Sequence, residues 1–266
     1  MLSPEQSLAA SPPTSWRGRL VERLCGDGLV LLALVGWWAI SQHLPSYLFP
    51  NIAAVFEAMM QLLSNPEFAV HTATSIGRIF FSVVLALLIG SMLALLPRYL
   101  PTLGEFIHER VKPLLNSFPS LGWALIGSIW FGVSSAAVIF IQVAILVPFA
   151  LINISEGLRE ISTEEQEMAR SFSRSRWRIF TLVILPMLYP YLIAALRITY
   201  GVAWKVSLVS ELFGADRGLG YLLMDAQSNA RIDLVFAICL IIVVFYGLGE
   251  RLIVDPLSRL YRAPSC

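Results

Sequence analysis

Residues 113–155 read PLLNSFPSLGWALIGSIWFGVSSAAVIFIQVAILVPFALINIS, a run of 43 residues without a charged side chain. The hydrocarbon core of a bilayer is about 30 Å thick and takes roughly 20 helical residues to cross. The run is too long for one crossing and suits two, over residues 113–131 and 136–155, with a turn at Gly132–Ser135. Working outward, residues 79–97 (IFFSVVLALLIGSMLALLP) also carry no charge, and residues 28–44 (GLVLLALVGWWAISQHL) supply an earlier crossing. Two more follow at residues 187–212 and 234–254, the former interrupted by Arg197 and Lys205. Backbone polar groups find no water inside lipid, so such spans must be helices. The expected class is an all-α integral membrane protein with six transmembrane helices.

Composition points the same way. Hydrophobic residues make up 57% of the 266-residue chain and charged residues 14%, with a mean hydropathy of +0.72. A soluble domain carries about 25% charged residues, so a soluble enzyme is excluded. A formal net charge of +1 gives no footprint for nucleic acid. Cys25, Cys239 and Cys266 form no close pair, and His43, His71 and His108 fall in three separate regions. Neither a disulfide framework nor a metal site is indicated. Both lysines, Lys112 and Lys205, lack the preceding glycine of a phosphate-binding loop, so the chain does not hold ATP that way.

Six crossings put both termini on one side. With the N-terminus inside, fourteen of the nineteen Lys and Arg residues lie in inner segments and two, Arg217 and Arg231, in outer ones. Arg78, Arg197 and Lys205 lie in or beside spans. The positive-inside rule then places both termini in the cytoplasm. Residues 1–15, rich in Ser, Pro and Ala, read as a disordered tail, residues 16–262 as one transmembrane domain, and residues 263–266 as a C-terminal tail. The basic amphipathic stretch 16–24 reads as a membrane-surface helix. So does the part of the outer loop after Pro50, where apolar residues recur at helical spacing. Ala86, Gly90 and Ala94 form a small-residue row suited to close helix packing within the chain.

The inner segment 156–186, EGLREISTEEQEMARSFSRSRWRIFTLVILP, carries the most information. Ser162 with Glu165, or Thr163 with Gln166, can form a capping box opening a helix from about Thr163 to Phe172. Ser173 or Ser175 can cap a second short helix bearing Trp177, Ile179 and Phe180 beside Arg174, Arg176 and Arg178. On the residues alone, this hairpin either docks into a partner's groove or rests as a basic loop on anionic lipid.

The segment resembles the EAA loop of binding-protein-dependent ABC transporter permeases. Glu167-Met168-Ala169 takes the Glu-Ala-Ala place, Ser173 stands at the glycine, and Val183 through Leu185-Pro186 close the pattern at its spacing. Met168, Ser173 and Val183 are the departures. Further stretches are similar to the nitrate/sulfonate/taurine branch: Pro119 to Trp123, Ile129 to Gly132, Trp204 with Ser210 to Gly214, and Gly218 to Leu222. The resemblance implies a type I ABC importer permease with a cytoplasmic coupling hairpin, in a bacterial inner membrane. It implies ATPase coupling through Glu167, Met168, Ala169, Ser173, Trp177, Arg178, Phe180, Leu185 and Pro186. It also implies a second permease copy as a homodimer, two cytoplasmic subunits that bind ATP and Mg, and an extracytoplasmic solute-binding protein. The implied solute is a small anion such as nitrate, a sulfonate or a carboxylate, or a thiamine-precursor compound.

Lys205 stands in mid-span, where ionisable groups are costly and usually face a bundle interior or cavity. One reading has Lys205, with Trp204, Ser207, Ser210 and Glu211, lining the translocation path and attracting an anion. The other has it paired with a Glu211 or snorkelling to the interface. Arg197 is expected to snorkel or touch the hairpin, and Glu211 to sit at the outer mouth. The alternative function, a stand-alone secondary transporter or channel, would need titratable groups in the spans beyond Arg78, Arg197 and Lys205. A membrane-bound enzyme would need clustered His, Cys or acidic residues.

Overall fold

The computed structural model describes residues 16–100, 102–172 and 175–259, and every regular element among them is helical. The expected tails and the motif position Ser173 lie outside the described residues. α1 (Trp16–His43) is one unbroken helix. No proline interrupts the stretch, so the basic segment 16–24 continues directly into the apolar one.

α2 (Ile52–Ser64) is followed at once by α3 (Pro66–Tyr99), which is 34 residues long, about 50 Å at 1.5 Å per residue. Asn65 caps α3, its Oδ1 accepting the Glu67 N–H at 2.9 Å, and Pro66 fits the first turn because its missing N–H has no partner there anyway. The second crossing was expected to begin at residue 79; its helix begins thirteen residues earlier.

The chain then forms α4 (Thr102–Phe106), a π-helical turn (Ile107–Val111) and α5 (Lys112–Ser117). α6 (Ser120–Phe131) has 12 residues, about 18 Å of helix. The expected crossing over 113–131 is thus divided. Phe118 (ψ 127°) and Pro119 (ψ 134°) are extended, because proline has no N–H and disfavours the helical region for the residue before it. Gly132, at φ +62°, reverses the chain, and Ser134 caps α7 (Ser135–Glu160) by accepting the Ala137 N–H at 3.2 Å.

α8 (Thr163–Phe172) and α9 (Arg176–Ile179) precede a second π turn (Phe180–Ile184) that leads into α10 (Leu185–Gly214). α11 (Leu219–Ser228), α12 (Ile232–Gly249), a third π turn (Glu250–Val254) and α13 (Asp255–Arg259) complete the described chain. Among the described residues, four helical stretches are long and apolar enough to cross a membrane: Pro66–Arg98, Ser135–Glu160, Trp177–Gly214 and Ile232–Arg259.

The core is the packing of α3, α7 and α10 against one another. Gly90 makes one close approach: a Cβ there would lie 2.6 Å from Ala150 Cβ on α7. Ala86 and Ala94, in the same small-residue row, are fully buried. α1 is held differently. Trp37 packs against Phe49 and Phe236, with ring centroids 5.9 and 5.4 Å away, and its Nε1 donates to the Pro50 carbonyl at 3.0 Å. Leu29, Leu32 and Val35 on α1 are exposed apolar surface, suited to acyl chains.

Candidate functional site

A polar stripe runs along α3 inside this apolar core. Thr72, Ser75, Arg78 and Ser82 recur at intervals of three or four and are all buried; that spacing keeps them on one helix face. Ser75 and Arg78 reach α10, where Glu211 is 1% exposed. A charge so deeply buried persists only if paired and hydrogen-bonded, and Glu211 is both. Arg78 Nη1 donates to its Oε1 at 3.3 Å, Ser75 Oγ lies 2.7 and 2.8 Å from its two oxygens, and the Gly220 N–H donates to Oε2 at 2.8 Å.

The same groups hold the segment between α10 and α11. Arg78 Nη1 donates to the Arg217 carbonyl at 2.6 Å, while its Nε and Nη2 reach Ser135 Oγ at 3.2 and 2.8 Å. Ser75 Oγ accepts the Leu219 N–H at 2.8 Å, and His71 Nδ1 accepts the Gly218 N–H at 3.0 Å. Glycine is required at Gly218: φ is +130°, and a Cβ there would run into the Glu211 carboxylate. The α7 start joins the cluster, since the Ser134 N–H donates to the Gly214 carbonyl at 2.8 Å. Four helices, α3, α7, α10 and α11, and the turn before α11 are thus fastened around a single carboxylate. Glu211, expected at an outer mouth, is the centre of a buried network.

The residues expected along a translocation path fall on two sides of α10. Trp204, Ser207, Ser210 and Glu211 are buried within the chain, whereas Lys205 is exposed. Successive α-helical residues turn by about 100°, so Lys205 cannot share a face with Ser207. Ser210 Oγ donates to the Ser207 carbonyl at 3.0 Å and lies 3.3 Å from Gln142 Nε2. Ser207 Oγ, Trp204 Nε1 and Gln142 Oε1 have no partner among the described residues. Arg197 pairs with Asp255 at 2.6 Å. The α13 carboxylate thus lies within reach of the guanidinium.

At the other end of the bundle, the Ser162 N–H donates to Glu165 Oε2 at 2.9 Å and the Glu165 N–H to Ser162 Oγ at 3.1 Å. That is the reciprocal capping box, and α8 follows it. Ser175 Oγ accepts the Arg178 N–H at 3.5 Å as α9 opens. Within this segment Ala169 is buried, while Glu167, Met168, Trp177 and Arg178 are exposed, Trp177 at 73%. Trp177 and Phe180 had been paired as interface residues. Their rings are 6.1 Å apart, but Phe180 packs partly inward beside Ile161, Ile184 and Leu188. Leu185 and Pro186 are exposed at the α10 start. No ion pair joins Glu167 to Arg178 among the described residues.

Sequence reasoning missed Ser75, Arg78, His71 and Ser135. A legible signal was the spacing of polar residues along α3; the partner of Arg78 lay 133 residues away and that of Ser75 136.

Comparison with known proteins adds three relatives and a family. The family model for the binding-protein-dependent transport system inner membrane component matches residues 29–254. The taurine transport system permease protein of Escherichia coli K12 is 26% identical over 244 residues, which is 88% of each chain. A second E. coli K12 protein, assigned to aliphatic sulfonate transport, is 29% identical over 251 residues, 91% of this chain and 90% of that one. The nitrate import permease protein of Synechococcus elongatus is 27% identical over 129 residues, 47% of this chain and 46% of that one.

Proposed function

We infer the role of this chain from one premise: it belongs to the family of binding-protein-dependent transport system inner membrane components. It is a membrane protein and the permease subunit of an ABC importer. Its partners are an ATPase subunit and a solute-binding protein, and the permease itself is not an enzyme. The observation that carries this is the near-complete match, running from the first apolar helix to the last π turn.

The finer reading is that two copies form the channel, with six crossings each and both termini cytoplasmic. ATP and Mg bind the partner ATPases. The exposed side of α8 and α9, with Glu167, Met168, Trp177 and Arg178, docks onto an ATPase; Ala169 and Phe180 hold the segment to the bundle, and Leu185-Pro186 carry its motion into α10. ATP-driven closure of the ATPase pair then shifts the permease between two states that differ in their contacts. Lys205, on the α10 face that the chain leaves uncovered, lines the path between the two copies. There its ammonium favours an anion, since attraction in a low-dielectric cavity far exceeds that in water. The solute is a small anion such as a sulfonate, nitrate or a carboxylate.

The test is uptake into proteoliposomes holding the permease, its ATPase and its binding protein, with taurine, alkanesulfonates, nitrate and bicarbonate offered in turn. ATP-dependent accumulation of one anion is expected; ATP-independent flux would overturn the reading. Lys205→Met keeps the stem and removes the charge, so assembly should persist while anion uptake falls at least about tenfold, the effect of roughly 1.4 kcal/mol. Undiminished uptake would remove Lys205 from the path.

A further inference from the structure

Where α3 ends against α7, a cavity of about 250 Å³ is lined by Ala94, Pro97, Arg98, Ser155, Leu158 and Arg159. Its depth can be read from both helices. The charge-free run of α3 stops at Arg98, and that of α7 stops after Ser155, at Glu156. Both boundaries lie at this cavity, so it sits where hydrocarbon gives way to headgroups. Its lining divides accordingly. Ala94, Pro97 and Leu158 form an apolar wall, while Arg98 and Arg159 bring two guanidinium groups.

Ser155 supplies an independent sign of a ligand. It is 2% exposed, it lines the cavity, and its hydroxyl has no hydrogen-bond partner among the described residues. A buried hydroxyl left unpaired is costly, and this one belongs to a residue on the cavity wall. Arg159 has no ion-pair partner among the described residues. The acidic neighbours on α7, Glu156 and Glu160, are absent from the described lining.

We propose that this cavity binds the phosphate of an anionic phospholipid, with Arg98 and Arg159 on its oxygens and the Ser155 hydroxyl donating to it. Guanidinium groups match phosphate oxygens in geometry as well as charge. The apolar wall takes the first acyl carbons, which a free inorganic phosphate does not possess. The leaflet follows from the proposed orientation, which makes it the inner one; the site itself does not depend on that orientation or on the solute.

The test is native mass spectrometry of the assembled transporter in detergent, titrated separately with phosphatidylglycerol and phosphatidylcholine. The zwitterionic lipid's own cation offsets its phosphate, so phosphatidylglycerol should be retained about fivefold more strongly, and Arg159→Gln should lower its retention by about the same factor. Ser155→Val should lower it less. Arg251→Gln, an exposed arginine away from the cavity, should leave it unchanged. Equal retention of the two lipids, an Arg159→Gln complex that binds as before, or equal loss with Arg251→Gln would each overturn the proposal. Displacement of the lipid by millimolar inorganic phosphate would also overturn it, marking a soluble-anion site. The lipid contrast on the unaltered complex needs no variant, and it reads binding whether or not transport follows the proposed function.

Discussion

The two ends of α10 are built on opposite plans. Near its C-terminus, Glu211 is 1% exposed, and Arg78, Ser75 and the Gly220 amide surround it. Near its N-terminus, the α8–α9 segment caps its own helix through Ser162 and Glu165, yet leaves Trp177 73% exposed. The first region is complete within one chain: its charges are paired and its glycines are fitted to a carboxylate. The second has local order and an unfilled apolar surface. A large aromatic beside arginine is the composition that interfaces favour, so the contrast separates a part that fixes this chain's shape from a part suited to another subunit.

The contrast breaks most sharply at the ion pair. Arg78→Met strands a buried carboxylate and should cost about 3–5 kcal/mol, seen as a large fall in the thermal midpoint of the detergent-purified protein. Adding Glu211→Leu should restore much of that loss, because no charge then remains unpaired. If the double variant is no better than the single one, the pair is not the organising interaction.

A smaller effect is expected at Gly218. Gly218→Ala places a Cβ against the Glu211 carboxylate in a backbone region that side chains avoid, costing about 1–3 kcal/mol. Gly247→Ala is the control, since nothing lies within 4 Å of a Cβ there. Equal midpoints for the two variants would show that the turn does not depend on the carboxylate.

The smallest stability effect sharpens the comparison from the other side. Trp177→Ala should leave the midpoint within about 0.5 kcal/mol of the parent, as exposed substitutions generally do, while reducing co-purification of the ATPase. A midpoint that falls as far as that of Gly218→Ala would mean that Trp177 stabilises its own chain.

Much of the molecule was legible in the sequence where the deciding forces are local. The capping box expected at Ser162 and Glu165 forms, each residue's N–H donating to the other's side chain. The break at Pro119 is equally local, but hydropathy, which marks the charge-free run, does not register a missing N–H. The grouping of Lys205 with Ser207 and Ser210 came from nearness in sequence, which a helix converts into opposite faces.

Sequence by itself determined that this chain is helical and membrane-embedded. The physical reason is that lipid offers backbone groups no partner, so charge-free runs of sufficient length have one stable form. It also determined α8, because a capping box closes within four residues. Only the tertiary structure decided that Arg78 meets Glu211 across 133 residues, that Lys205 faces away from the core, and that Arg98, Ser155 and Arg159 line one cavity. Those outcomes depend on how α3, α7 and α10 pack, and the choice of facing sides is made by the close approach of small residues such as Gly90 to the neighbouring backbone.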